Sequence, residues 1–158
     1  VAKKRHNSLV PLSHQHHHGL VMSHRLEEGL TEKQADSPTA EVLKEVVGFF
    51  NRDLVPHFAA EEEVLFPAME RHLGKLAVIA ELLQEHRRIE SLVASLGQSE
   101  PNMQTETLRA FGELLHDHIR KEERVLFPIF EEKMPESAAR AIGDEMQQKL
   151  RTDQYREQ

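Results

Sequence analysis

The sequence predicts an all-α protein: an antiparallel up-down four-helix bundle followed by a short C-terminal fifth helix. Three observations carry this expectation. Apolar residues recur at three- and four-residue spacing along four long segments. Short breaks rich in Gly, Pro and Ser separate those segments. The composition has 30% charged residues, 5% aromatics and no Trp, which suits a helical protein better than a β-sandwich. At 158 residues the chain has the length of one domain with its own core. We read it as residues 1–158 in one unit, with a core bundle over 12–133 and a terminal helix over 136–151.

Pro11 suits a first helical turn, where its missing N–H costs nothing, so the first helix runs from Leu12 to about Lys33. Asp36-Ser37-Pro38 reads as an N-cap and N1 proline. A second helix follows to about His72, with Gly74 as its stop. The third helix spans about Lys75 to Gly97. Gln98 to Asn102 forms a loop, and the fourth helix runs from Met103 to Lys133. After a break at Met134–Ser137, Ile142, Met146 and Leu150 mark the fifth helix, expected to pack against the outside of the bundle. Short links between long helices make neighbours antiparallel. Pro56, Pro67 and Pro128 fall inside helices two and four. Each should cost about 3 kcal/mol in a regular helix, so kinks are expected there, because the apolar period continues past every one.

The bulk properties exclude several functions. There is no Cys, so thiolate zinc sites, iron–sulfur clusters and thiol catalysis are out. A formal net charge of −7 without a basic block makes nucleic acid a poor partner. No apolar run approaches a membrane span and no signal peptide is visible, so a cytoplasmic location is expected. Histidine is the outlier, with 11 in the chain.

Two stretches nearly repeat each other. His57-Phe-Ala-Ala-Glu61-Glu-Glu-Val-Leu-Phe-Pro67 is matched by His118-Ile-Arg-Lys-Glu122-Glu-Arg-Val-Leu-Phe-Pro128. Positions i and i+4 share a helix face, so each stretch aims an imidazole and a carboxylate the same way. Both pairs lie within apolar stripes: Leu54, His57, Glu61 and Leu65 on one, Phe111, Leu114, Leu115, His118, Glu122, Val125 and Leu126 on the other. Polar groups at such positions are costly without partners, which points to metal ligation rather than to surface ion pairs. Helix three repeats the spacing with His86 and Glu90, on the face of Leu82, Leu83, Ile89 and Val93. Helix one carries His14-Gln-His-His-His18. His16 stands four residues after Leu12 and four before Leu20, hence on the core stripe, with His17 as the alternative. Imidazole and carboxylate without thiolate suit iron, manganese or zinc.

The ordered set His16, His57, Glu61, His86, Glu90, His118 and Glu122 resembles the hemerythrin-like (HHE cation-binding) family, over about residues 12 to 130. The resemblance implies two iron ions, oxo- or hydroxo-bridged, in a four-helix bundle, with Mn or Zn as possible substitutes. It would make Glu61 and Glu122 bridges, place His16 and His57 on one ion, and place His86, Glu90 and His118 on the other. One position would stay open on the His16/His57 ion for a small ligand such as O2, peroxide or NO. The chain departs from the family's oxygen carriers in having Glu90 where they have a second His, and in placing Glu122 four after His118 where they have an Asp five after. An anionic ligand favours the ferric state, so sensing, iron handling or oxidant defence is expected rather than bulk oxygen carriage.

Two other readings compete. A ferritin-like carboxylate oxidase wants Glu-x-x-His pairs; the match, Glu113-x-x-His116, lies off the apolar stripe. A non-catalytic zinc-binding helical module is the other. His6, His14, His18 and His116 are expected to be solvated, His72 a helix C-terminal cation and His24 a possible lining of an entry path. Glu62 and Glu123, directly after the proposed bridges, are expected at the surface.

Overall fold

The computed structural model describes residues 4–32 and 40–156. A 3-10 turn, Asn7–Leu9, leads into α1, Val10–Glu32. Helix α2 spans 40–73, α3 is Ala77–Leu96, α4 spans 101–133 and α5 is Glu136–Arg156. No strand occurs among the described residues. The expected Asp36-Ser37-Pro38 cap and the end of helix one at Lys33 lie outside them. Gly74 ends α2 as expected: its φ of 79° is open to glycine at little cost, and its N–H reaches the Glu70 carbonyl at 2.9 Å. Helix α4 starts earlier than expected, because Pro101 occupies its first turn instead of a loop. Helix α5 continues to Arg156 rather than stopping near 151; no Gly or Pro stands there to end it.

The three internal prolines are each accommodated by a π-helical turn just upstream: Phe50–Leu54, Glu61–Leu65 and Glu122–Leu126. Val55, Phe66 and Phe127 donate their N–H groups to carbonyls five residues back, on Phe50, Glu61 and Glu122. A proline ring collides with the carbonyl four residues back in an α-helix, and the wider turn removes that conflict. It also resets the phase of the helix. Val125, expected on the core stripe, is 45% exposed, while Leu126 and Phe127 are buried. The extra residue in the Glu122–Leu126 turn rotates the inward position on by one.

Apolar packing falls into two clusters. One joins Leu12, Leu65, Leu82, Leu126 and Phe127 to Ala139, Ile142 and Met146 of α5. The other joins Met22, Leu54, Phe58, Ile89, Leu115 and Ile119. Helices α1 and α3 run from the first cluster to the second, and α2 and α4 run back, which is the antiparallel bundle expected. Between the clusters lies a polar layer made of His16, His57, Glu61, His86, His118 and Glu122, all buried.

Helix α5 closes the first cluster and touches the 3-10 turn, where Ser8 Oγ donates to the Ala139 carbonyl at 2.8 Å. A Cβ on Gly143 would stand 2.3 Å from Ser8 Oγ, 2.7 Å from its Cβ and 3.0 Å from its Cα. Because backbone must move, Gly143→Ala should destabilise by about 1–3 kcal/mol without changing metal content. Thermal melts with metal analysis check this. Gly29, where nothing lies within 4 Å of an added Cβ, should instead gain about 0.5–1 kcal/mol on replacement by Ala.

Candidate metal centre

Each bundle helix brings its histidine to the layer between the clusters, and the two duplicated stretches add the carboxylates. Two four-residue groups result, each compact enough to surround one cation: His16, His57, Glu61 and Glu122; and Glu61, His86, His118 and Glu122. The glutamates belong to both. Glu61 Oε1 lies 2.9 Å from His57 Nε2, and its Oε2 lies 3.3 Å from His86 Nε2. Glu122 Oε2 lies 2.8 Å from His16 Nε2, and its Oε1 lies 3.3 Å from His118 Nε2. Each carboxylate therefore spans the two groups with one oxygen toward each.

The ring nitrogens turned away from the centre are all held. His16 Nδ1 meets Glu123 Oε1 at 2.7 Å, and His57 Nδ1 meets Gln15 Oε1 at 2.6 Å. His86 Nδ1 meets Glu62 Oε1 at 2.7 Å, and His118 Nδ1 meets Glu85 Oε2 at 2.8 Å. An imidazole that donates Nδ1–H outward carries a lone pair on Nε2. Those Nε2 atoms face one another, 3.1 Å apart for His16 and His57 and 3.2 Å for His86 and His118. All four oxygens of Glu61 and Glu122 are fully buried without a hydrogen bond in line. Four inward lone pairs and two buried anions require cations. The donor set fits two metal ions.

Without metal, protons fill that role. Burial would lower His16, His86 and His118, but neighbouring carboxylates outweigh it. Glu122 and Glu123, with Glu61, raise His16 to about 9, and Glu122 and Glu85, with Glu61, raise His118 to about 10. Burial and the Glu122 charge push Glu61 up, yet the adjoining His57 and His86 hold it below the usual carboxylate range. Glu122 is held well below that range, against its burial, by His118 and His16. A histidine raised in the folded state contributes stability that is complete below its ordinary 6.5 and is lost as pH rises through the folded value. The metal-free protein should therefore lose thermal stability from pH 7 to pH 10, and the metal-loaded protein much less. Melts across that range with and without metal check the sign.

Glu90 is not brought into the layer. Its side chain is 37% exposed and faces Arg87 Nη1 at 3.3 Å, and it belongs to neither group. The helix-three pair expected from i, i+4 spacing is thus a single histidine. The next turn carries position 90 to the flank of the bundle, where a surface guanidinium offers a better partner than a crowded carboxylate layer. Glu90→Gln should leave the number of bound metal ions unchanged, as read by elemental analysis.

Of the helix-one run, His16 is buried while His14, His17 and His18 are exposed. His24 is exposed and pairs with Glu28 at 3.2 Å. His72 and His116 are exposed as expected, and Glu113 lies outward too. His6, expected to be solvated, instead caps the 3-10 turn through its Nδ1, lies edge-on to Phe130 and pairs with Glu136 at 3.2 Å. Glu62 and Glu123, expected at the surface, are half-buried supports of the centre. Gln15 and Glu85 were not legible as single residues. A signal exists in the repeat: the residue before His16 and before His86 supports the histidine of the following helix, as the residue after Glu61 supports the histidine of α3 and the residue after Glu122 that of α1.

A cavity of about 10 Å³ adjoins His16, His57 and His118, lined also by Gln15, Gly19 and Phe58. It has room for about one water-sized molecule. His86 is covered by Phe58, stacked at 3.8 Å between ring centroids, and by Phe66 at 5.8 Å, and His16 by Phe127, stacked at 5.4 Å.

Comparison with known proteins agrees with this geometry. Residues 9–148 match the Hemerythrin HHE cation binding domain. A protein named DNA nickase, from Nostoc sp. (strain PCC 7120 / SAG 25.82 / UTEX 2576), is 28% identical over 97 residues, covering 60% of this chain and 27% of that protein. The chain thus spans about a quarter of that relative's length. No solved structure matches. With the match running through all four bundle helices and both carboxylate-bearing turns, the chain belongs to the hemerythrin HHE cation-binding family.

Proposed function

We propose that the chain holds two iron ions and meets a small ligand such as O2, peroxide or NO at them, in sensing, iron handling or oxidant defence rather than bulk oxygen carriage. The carrying observation is the pair of fully buried carboxylates, each reaching toward both imidazole pairs, with no hydrogen bond in line on any of their oxygens. His16 and His57 would hold one ion, His86 and His118 the other, with Glu61 and Glu122 shared. Bound iron supplies electron exchange and Lewis acidity toward the small ligand. The protein residues fix the imidazole tautomers through Nδ1, exclude bulk water with the two apolar clusters, and leave a small space beside His57.

With Glu90 outside the layer, it is the outer partners of the imidazoles that disfavour oxygen carriage. Carboxylates stand behind three of the four imidazoles, which makes those rings more basic and favours the ferric state. Carriage needs a stable ferrous state. The ferritin-like alternative loses its motif, since Glu113 and His116 face outward. A nicking activity is not carried over from the Nostoc relative: the shared segment is 27% of that protein, and a net charge of −7 opposes binding to a polyanion.

Among the described residues no helix is long and apolar enough to cross a membrane; the cytoplasm is the setting this reading assumes. The test is metal analysis of untagged protein together with its visible spectrum. Two irons per chain and an oxo-bridge charge-transfer band support the reading, and zinc alone, or no metal, overturns it.

A further inference from the structure

The centre is close to two-fold symmetric in its inner residues but not in what stands behind them. In one half, His86 and His118 both donate Nδ1–H to carboxylates, those of Glu62 and Glu85. In the other, His16 donates to the Glu123 carboxylate but His57 to the neutral amide oxygen of Gln15. Gln15 and Glu85 occupy equivalent places, each directly before a ligand-bearing histidine and each holding the histidine of the next helix. The surrounding cations do not cancel the difference. Arg5 lies against Glu123, Arg87 against Glu62 and Lys121 against Glu85, so each carboxylate has one cation and the amide has none. Packing does not separate the halves in this way: the cavity is lined by His16, His57 and His118, and aromatic rings stack on both His86 and His16.

A carboxylate acceptor on Nδ1–H makes an imidazole a stronger metal donor than an amide does. We propose that Gln15 and Glu85 are positioning residues that make the two halves unequal, so that the first metal ion enters between His86 and His118 and the second, more weakly held, between His16 and His57. This rests on the two-metal reading given above. Its consequence is a protein that keeps one ion and exchanges the other, the labile ion being the one between His16 and His57.

The experiment is a calorimetric and visible-absorption titration of the metal-free full chain with Co²⁺. The unmodified protein should load in two resolved steps. Gln15→Glu should tighten the second step by about tenfold or more and narrow the gap. Glu85→Gln should weaken the first step by about 10–100-fold. Either variant alone decides the matter if the other does not fold, with helical content read by circular dichroism. Two equal steps in the unmodified chain, or a second step that Gln15→Glu leaves unmoved, would overturn the inference while leaving the two-metal centre standing. Failure to bind any Co²⁺ would overturn both.

Discussion

His118→Ala should remove at least one metal ion from the centre, and the metal-free variant should be less stable than the metal-free parent by about 3–5 kcal/mol. The metal loss follows from the missing Nε2 donor. The stability loss follows from what remains: Glu122, with both oxygens buried and no hydrogen bond in line, loses the imidazolium that offsets its charge, and Glu85 loses the ring it holds. His57→Ala should likewise lose metal, because the donor facing Glu61 Oε1 is removed. Elemental analysis and denaturant unfolding check the two effects separately. Full metal content in both variants would show that these histidines are core residues and not ligands.

Stripping the metal from the unmodified protein should produce the largest shift in melting temperature. A ligand that binds only the folded state stabilises it by about 4 kcal/mol when present at a thousand times its dissociation constant, and this centre has two groups able to hold one. For a chain of this size each kcal/mol moves the melting temperature by about 2–4 °C, so chelation should lower it by well over 10 °C at neutral pH. Protonated His16 and His118 keep the empty centre neutral enough to fold, so a metal-free bundle should persist rather than unfold outright. Differential scanning calorimetry before and after chelation gives the number. An unchanged melting temperature would mean that the polar layer is stable without cations.

The bundle and most of its inner polar layer could be read from the sequence because both express helical periodicity. His57, Glu61, His118 and Glu122 stand where four-residue spacing places them, and the repeat of the two stretches made the pairing visible. His16 could be chosen from a run of histidines because Leu12 and Leu20 fix the phase of α1. Glu90 shows the limit of that logic. Spacing places a side chain on a face, but whether it turns inward depends on competing partners such as Arg87. The prolines show another limit. Their positions announced a disturbance, but a π turn adds a residue and shifts everything after it, which is why Leu126 and not Val125 is buried. The outer partners Gln15 and Glu85 lie beyond single-residue reading altogether. They are ordinary helix-surface types, and their role depends on which helices are neighbours.

A crystal structure of the iron-loaded protein, with anomalous scattering measured at the iron edge, would locate the metal ions. A two-metal centre requires two anomalous peaks between the apolar clusters. One should contact Nε2 of His16 and His57, the other Nε2 of His86 and His118, and each should contact one oxygen of Glu61 and one of Glu122. A single peak, or peaks held by other side chains with Glu61 and Glu122 still unligated, would contradict it.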